Sequence, residues 1–293
     1  MLNKIKPFLI LMRPANIVTA IADILAGVSV TGLIIGDQLI DIIALVIGTI
    51  GLYGGGVVFN DIFDRTLDGV ERPERPLPSG KVELWQAQIL GIALYMLGSF
   101  AALMVSKISA IIALLIVVFS LLYNKYAKHH ILFGPLNMGL CRGFNLLLGI
   151  SLSVVVLKAY WFLAIIPIIF IAGITLTSQG ENSGENASSI ILALVVDSII
   201  VALFFIFHRF NDYNFFTALP FICFWFILNF QAKIRAIRTN EAEKVKIAVK
   251  VGVLSLIPLN AGIASGFGGG YFGLLILALL PFSIFLSKYF SVT

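Results

Sequence analysis

The sequence predicts an all-α, polytopic membrane protein: a bundle of about nine to ten membrane-spanning helices around a central apolar chamber. Three observations predict it. Of the 293 residues, 59% are hydrophobic and only 12% charged, with a mean hydropathy of +1.03, whereas a soluble domain carries roughly a quarter charged residues. The charges fall in short clusters between long apolar runs. Alternating strands of a transmembrane barrel are not seen. The net charge of +5 does not point to nucleic acid, because Lys and Arg sit at the ends of apolar runs, where they orient a membrane chain.

The first apolar run covers residues 14–35 and turns at Asp37 and Gln38. Lys4, Lys6 and Arg13 precede it without a small-residue cleavage site, so it reads as a span and not a signal peptide. The second run, 39–60, carries Gly51, Gly54, Gly55 and Gly56, small residues that let helices approach closely. A polar loop at 69–83 follows. Further runs cover 84–105, 108–126, 135–156 and 160–177, then a polar insertion at 178–189. The remaining runs are 190–207, 215–230 and 247–265; GFGGG reads as a loop before a last run at 271–285. Cys141 and Cys223 lie within apolar runs and read as buried packing residues, neither a disulfide nor a metal pair. Residues 1–293 read as one domain.

Charge asymmetry sets the orientation. With the N-terminus in the cytoplasm, alternation places Arg65, Arg72, Arg75 and Lys81 inside, together with Lys125, Lys128 and the basic segment from Lys233 to Lys246. The opposite loops hold only Lys107, Lys158 and Arg209. Two acidic segments, one ending the second run and one containing Glu181 and Glu185, fall on the same face.

Asn60, Asp64 and Asp68 are spaced by four. On a helix they stack on one face over about 12 Å, with Asp61 rotated off the line. Few hard oxygen ligands suit Mg²⁺, which shares its octahedron with water and substrate phosphates. Arg72, Arg75 and Lys81 bring positive charge to a loop stiffened by Pro73, Pro76 and Pro78, and the arginine fork matches two phosphate oxygens. A charged interfacial anchor is the plainer reading, but three ligands in one register fit it poorly. Glu181 and Glu185 repeat the spacing among Gly180, Asn182, Gly184 and Asn186. Alone they would read as a solvated loop; topology brings them to the first cluster's face as further metal ligands.

Other polar residues are costly in a span and therefore candidates for function. Lys125 and Lys128, ending the fourth run, reach either diphosphate or the interface. Arg142 and Asn145 lie inside an apolar run, where an arginine faces the bundle and finds a carboxylate or a substrate. Asn16 and Tyr123 complete the candidate acceptor and chamber residues; a helix–helix hydrogen bond is the equal alternative for Asn16. Asp23 is buried by sequence without an assignable role.

Asn60, Asp64 and Asp68, with RPERPLPSG at 72–80, resemble the UbiA superfamily of intramembrane prenyltransferases, whose signature is N-D-x-x-D-x-x-x-D followed by R-P-x-R-P-(L/I)-x-S-G. RPAN at 13–16 looks like the family's first-span motif. LYNKYAKHHILFGPLNMGLCRGFNLLLG at 122–149 is similar to its fourth and fifth spans, especially in the EboC branch. The resemblance covers most of the chain. It departs at Glu181 and Glu185, where the family's second motif is usually D-x-x-x-D, and in a count near ten where the family core has nine spans. It implies a single UbiA-like domain and Mg²⁺-dependent transfer of an isoprenyl group from a prenyl diphosphate to a lipophilic acceptor. Asp64 and Asp68 would serve catalysis, and Arg72, Arg75, Lys125 and Lys128 would hold diphosphate. The implied setting is a bacterial inner membrane or its equivalent. Two other classes compete: a carrier of an amphipathic metabolite that has lost the chemistry, and a terpene cyclase that ionises diphosphate without an acceptor.

Overall fold

The computed structural model describes residues 2–32, 35–128, 130–178, 187–209, 212–239 and 241–290. Among them every regular element is helical. α1 (Leu2–Met12) leads into α2 (Pro14–Val30), and α3 (Leu39–Phe63) continues into α4 (Arg65–Glu71). α5 (Leu84–Val105) and α6 (Lys107–Leu122) meet at Ser106, whose hydroxyl accepts the Ser109 N–H at 3.0 Å and caps α6. α6 ends in a π turn over Tyr123–Ala127. Then come α7 (Phe133–Ile150), α8 (Val154–Tyr160), α9 (Ile165–Ser178), α10 (Ala187–Phe207) and α11 (Phe215–Thr239). α12 (Ala242–Leu254), α13 (Leu256–Gly268), α14 (Gly270–Leu277) and α15 (Leu279–Leu286) complete the order.

Among the described residues seven helical segments are long and apolar enough to cross a membrane, and eight when the α1–α2 pair, bent by 47°, counts as one span. Two further helical segments stand where apolar runs were read. α7 carries Arg142, Asn137 and Asn145, and Gly270–Leu286 is a shorter apolar helix. The chain is an integral, multi-pass helical membrane protein. The expected GFGGG loop is corrected: α13 runs to Gly268, and α14 starts at Gly270. Only Gly269 interrupts, at φ 84°, a left-handed backbone that glycine adopts without steric cost.

The bundle is wrapped around α2 and α13. α2 packs against α3, α7, α13 and α15, and nearly all its side chains are buried, as are those of α13 from Leu256 to Gly266. The outer helices α5, α6 and α10 present Ile89, Phe100, Ile111, Leu192 and Phe205 outward, as lipid-facing surfaces do. α3 and α5 approach most tightly at Gly51 and Gly98. A Cβ at Gly51 would lie 2.5 Å from the Leu94 carbonyl oxygen, so a side chain there cannot fit without moving backbone. The expectation for the cysteines is corrected: both thiols are free, but Cys223 is exposed on the outer surface and Cys141 only half-buried.

Candidate active site

Pro14 cannot donate a backbone N–H and begins α2, leaving Arg13 in the break after α1. Arg13 adopts φ 49°, uncommon outside glycine and held only where its surroundings fix it. Its Nη2 donates to Asp61 Oδ1 at 2.9 Å, tying the α2 start to the α3 end. α3 stops at Phe63 and Asp64 forms the joint to α4. The joint keeps the register: Asp64 N–H donates to the Asn60 carbonyl at 2.9 Å, Asp68 N–H to that of Asp64 at 2.8 Å, and Arg72 N–H to that of Asp68 at 2.8 Å. Asn60, Asp64, Asp68 and Arg72 therefore descend one face, and all four line one cavity.

Each aspartate of this stretch pairs with a cation. Arg75 Nη1 donates to Asp68 Oδ2 at 2.7 Å and to Asp61 Oδ1 at 3.4 Å, and Lys128 pairs with Asp64. Burial pushes the Lys128 ammonium below its ordinary value, with Asp61 opposing that shift. Asn60 Nδ2 donates to Asn124 Oδ1 at 3.2 Å, and Asn124 Nδ2 to the Gly56 carbonyl at 3.0 Å.

The cavity, of about 350 Å³, runs from this rim between α2, α3, α7, α9 and α12. Leu52, Val57, Ile116, Ile171, Ile174, Val249 and Val253 give it apolar walls. Polar groups lie at its far end. Arg142 stacks 4.9 Å from the Tyr53 ring centre, donates from Nη1 to Asp23 Oδ2 at 2.7 Å and from Nη2 to Thr19 Oγ1 at 2.6 Å. Asn145 Nδ2 donates to the Ala20 carbonyl at 2.8 Å and to Asp23 Oδ2 at 3.0 Å, while its Oδ1 accepts from Thr49 at 2.8 Å. Asn260 on α13 donates to Asp23 Oδ1 at 2.6 Å.

The structure brings Asn16, Asn60, Asp64, Asp68, Arg72, Arg75, Tyr123, Arg142 and Asn145 to this one cavity. Lys128 joins through Asp64. Lys125 does not: it is exposed and stacks over Tyr126 at 5.0 Å. Glu181 and Glu185 lie outside the described residues; Ser178, which ends α9, lines the cavity. Asn124, Arg13, Asp61 and Tyr53 were not singled out as site residues by sequence. For Arg13 the signal was present in its Pro14 neighbour, and for Asn124 in an amide next to a lysine at a span end.

The donor set tests the Mg²⁺ that the resemblance implies. Among the described residues no three His, Cys, Asp or Glu side chains converge to cage an ion. Asp64 and Asp68, with the Asn60 amide, instead line an open rim beside Arg72 and Arg75. That fits Mg²⁺, which is commonly held by one or two carboxylates and completed by substrate phosphates.

The cavity thus joins apolar walls to a rim of aspartates and arginines within a bundle of membrane-spanning helices. Residues 24–249 match the UbiA prenyltransferase family, and the chain belongs to it. Similar relatives are the digeranylgeranylglyceryl phosphate synthases of Methanothrix thermoacetophila and Sulfurisphaera tokodaii. The first is 40% identical over 106 residues, 36% of this chain and 39% of that protein. The second is 30% identical over 146 residues, 50% of this chain and 51% of that one. The chain thus spans about half or less of the length of these relatives. Among solved structures, a digeranylgeranylglyceryl phosphate synthase shares the fold at a TM-score of 0.69 and 22% identity, covering 90% of this chain and 99% of that one. A UbiA homologue of Archaeoglobus fulgidus, bound to GPP and Mg²⁺, does so at 0.66 and 11% identity, covering 85% and 99%. The EboC-like branch rests on the 122–149 run alone.

Proposed function

We propose that residues 1–293 form a single UbiA-like domain that transfers an isoprenyl group from a prenyl diphosphate to a lipophilic nucleophile inside the membrane, with Mg²⁺. The observation that carries this reading is the register of Asn60, Asp64, Asp68 and Arg72 on one rim of an apolar-walled cavity. The A. fulgidus homologue bound to GPP and Mg²⁺ supports it. In this reading Asn60, Asp64 and Asp68 hold the metal, and Glu181 and Glu185, three and seven residues beyond the cavity-lining Ser178, complete the site. The metal supplies charge neutralisation to the departing diphosphate. Arg72 and Arg75 clamp diphosphate oxygens, and Arg75 and Lys128 exchange their carboxylate partners for phosphate. The apolar walls take the prenyl tail and keep water from the allylic carbon, so that the acceptor is the nucleophile at hand. Asn16, Tyr123, Arg142 and Asn145 face the acceptor side. The N-terminus and the rim lie on the cytoplasmic face of a bacterial inner membrane or its equivalent, in keeping with the cationic clusters there.

The test is pyrophosphate release by the purified protein given Mg²⁺, prenyl diphosphates of several lengths and lipophilic acceptors. Acceptor-dependent release that stops on metal chelation is expected. Asp64→Ala should lower it by about a hundredfold or more while leaving the protein folded. Release without acceptor, giving a cyclic hydrocarbon, would mean a cyclase. Metal-independent ligand binding with no release from any chain length would mean a carrier.

A further inference from the structure

Asn60 differs from Asp64 and Asp68 in what it can offer a metal. A carboxylate presents an oxygen whichever way it is turned. An amide presents an oxygen in one orientation and an NH₂ donor in the other. Mg²⁺ takes oxygen ligands, so the second orientation is useless to it. The contacts of Asn60 therefore decide whether it can serve the rim at all.

Those contacts run through Asn124, a cavity-lining residue that is only 3% exposed. Asn124 Nδ2 donates to the Gly56 carbonyl at 3.0 Å. A backbone carbonyl can only accept, so that end of the Asn124 amide is the donor and the other end is Oδ1. Oδ1 can also only accept, and it lies 3.2 Å from Asn60, which answers with Nδ2. Polarity thus passes from a backbone group of α3, through Asn124, to a side chain one turn further along α3. Asn60 Oδ1 is left with no hydrogen bond among the described residues, and unlike Asn229 Oδ1 it is not sealed in the interior.

The same meeting of elements is repeated one turn on. Asn124 and Lys128 are four residues apart, as are Asn60 and Asp64, and Lys128 pairs with Asp64. The Lys128 N–H donates to the Tyr123 carbonyl at 3.0 Å and closes the π turn that carries Asn124. π turns of this kind occur often at functional sites. The two contacts differ in kind. Lys128 supplies charge, for which another ion can substitute. Asn124 is neutral and held at both ends of its amide, so what it supplies is orientation.

We infer that Asn124 is a positioning residue, which turns the Asn60 amide so that Oδ1 and not Nδ2 is offered to the metal. This rests on the prenyl-transfer reading, in which Asn60 belongs to the metal site, and adds to that site a residue that would not itself touch the ion.

The inference is tested by a double-mutant cycle on metal affinity. Mn²⁺, as a spectroscopic stand-in for Mg²⁺, is titrated in the presence of geranyl diphosphate into the full chain in lipid nanodiscs and followed by electron paramagnetic resonance. Asn124→Ala frees the Asn60 amide to turn and should weaken Mn²⁺ binding about tenfold, the lower end of the usual loss when a ligand's outer partner is removed. Asn124→Ser, too short to bridge Gly56 and Asn60, should do the same and serves if the alanine variant does not fold. In an Asn60→Ala background there is no amide to orient, and either change at Asn124 should alter the affinity by less than about twofold. A tenfold loss in both backgrounds is what a merely structural role would give, and it would overturn the inference. Unchanged affinity in the Asn124 variants of the otherwise unaltered chain would overturn it too, as would absence of Mn²⁺ binding by the unaltered chain. Mn²⁺ binding that follows the cycle without pyrophosphate release from any acceptor mixture would strike the prenyl-transfer reading alone and uphold the role of Asn124.

Discussion

Asp23 and Asp197 are the two most deeply buried of the described aspartates, each against a basic side chain, and they are built differently. Asp23 on α2 uses both oxygens: Oδ2 accepts from Arg142 and Asn145, and Oδ1 from Asn260. Asp197 on α10 pairs with Lys233 of α11 at 2.6 Å through Oδ2, while its Oδ1 has no hydrogen-bond partner among the described residues. The first network joins α2, α7 and α13 and reaches the cavity through Arg142. The second joins α10 to α11, away from the cavity lining, with Lys233 5.7 Å from the Phe170 ring centre. A buried carboxylate with donors on both oxygens can hold its partner side chains in one place; a single pair with a spare oxygen only recovers part of its own desolvation cost. The lesson is that burial and charge alone do not mark a site. What separates the two aspartates is how many donors converge and whether the result opens on a cavity.

The largest test of this contrast is Asp23→Ala. It strands Arg142 and two amide donors, and should destabilise the protein by about 3–5 kcal/mol, read as a shift in chemical unfolding in detergent. A loss below about 1 kcal/mol would show that Asp23 is no hub. The double change Asp197→Leu with Lys233→Met should leave stability unchanged or raise it by about 1–4 kcal/mol, since well-packed apolar pairs often replace buried ion pairs without loss. Prenyl-transfer activity should stay at its original rate in that double variant, and a large fall would bring α10 and α11 into the site. The smallest effect is expected from Thr49→Val, which removes one neutral hydrogen bond to Asn145 and should cost about 1 kcal/mol or less.

Part of the site was legible because local rules carried it. The four-residue spacing of Asn60, Asp64 and Asp68 survives the break at Asp64, since the backbone hydrogen bonds continue through the joint. The intramembrane arginine at 142 is expected to find a carboxylate or a substrate, and it meets Asp23, to which sequence reading assigned no role. That pair spans 119 residues, and the Asn260 contact to the same aspartate spans 237. No local period can announce contacts of that range. Lys125 and Lys128 looked equivalent in sequence. The π turn at Tyr123–Ala127 separates them, directing Lys128 to Asp64 and leaving Lys125 on the surface. Glycines divide in the same way. Gly51 is required by the α3–α5 approach, whereas a Cβ at cavity-lining Gly56 would meet only ordinary contacts, the closest at 3.7 Å.

By itself the sequence determined that this chain lives in a membrane as helices, because long apolar runs cannot leave backbone polar groups unpaired in hydrocarbon. It also determined which span end carries the acidic register, because helical spacing is a local property. Only the tertiary structure decided which helix is central, which lysine meets Asp64, and that Asp23 gathers Arg142, Asn145 and Asn260 into one recess. Those outcomes depend on side chains from distant helices meeting in three dimensions, and the one-dimensional pattern of polar residues fixes their need for partners without fixing the partners themselves.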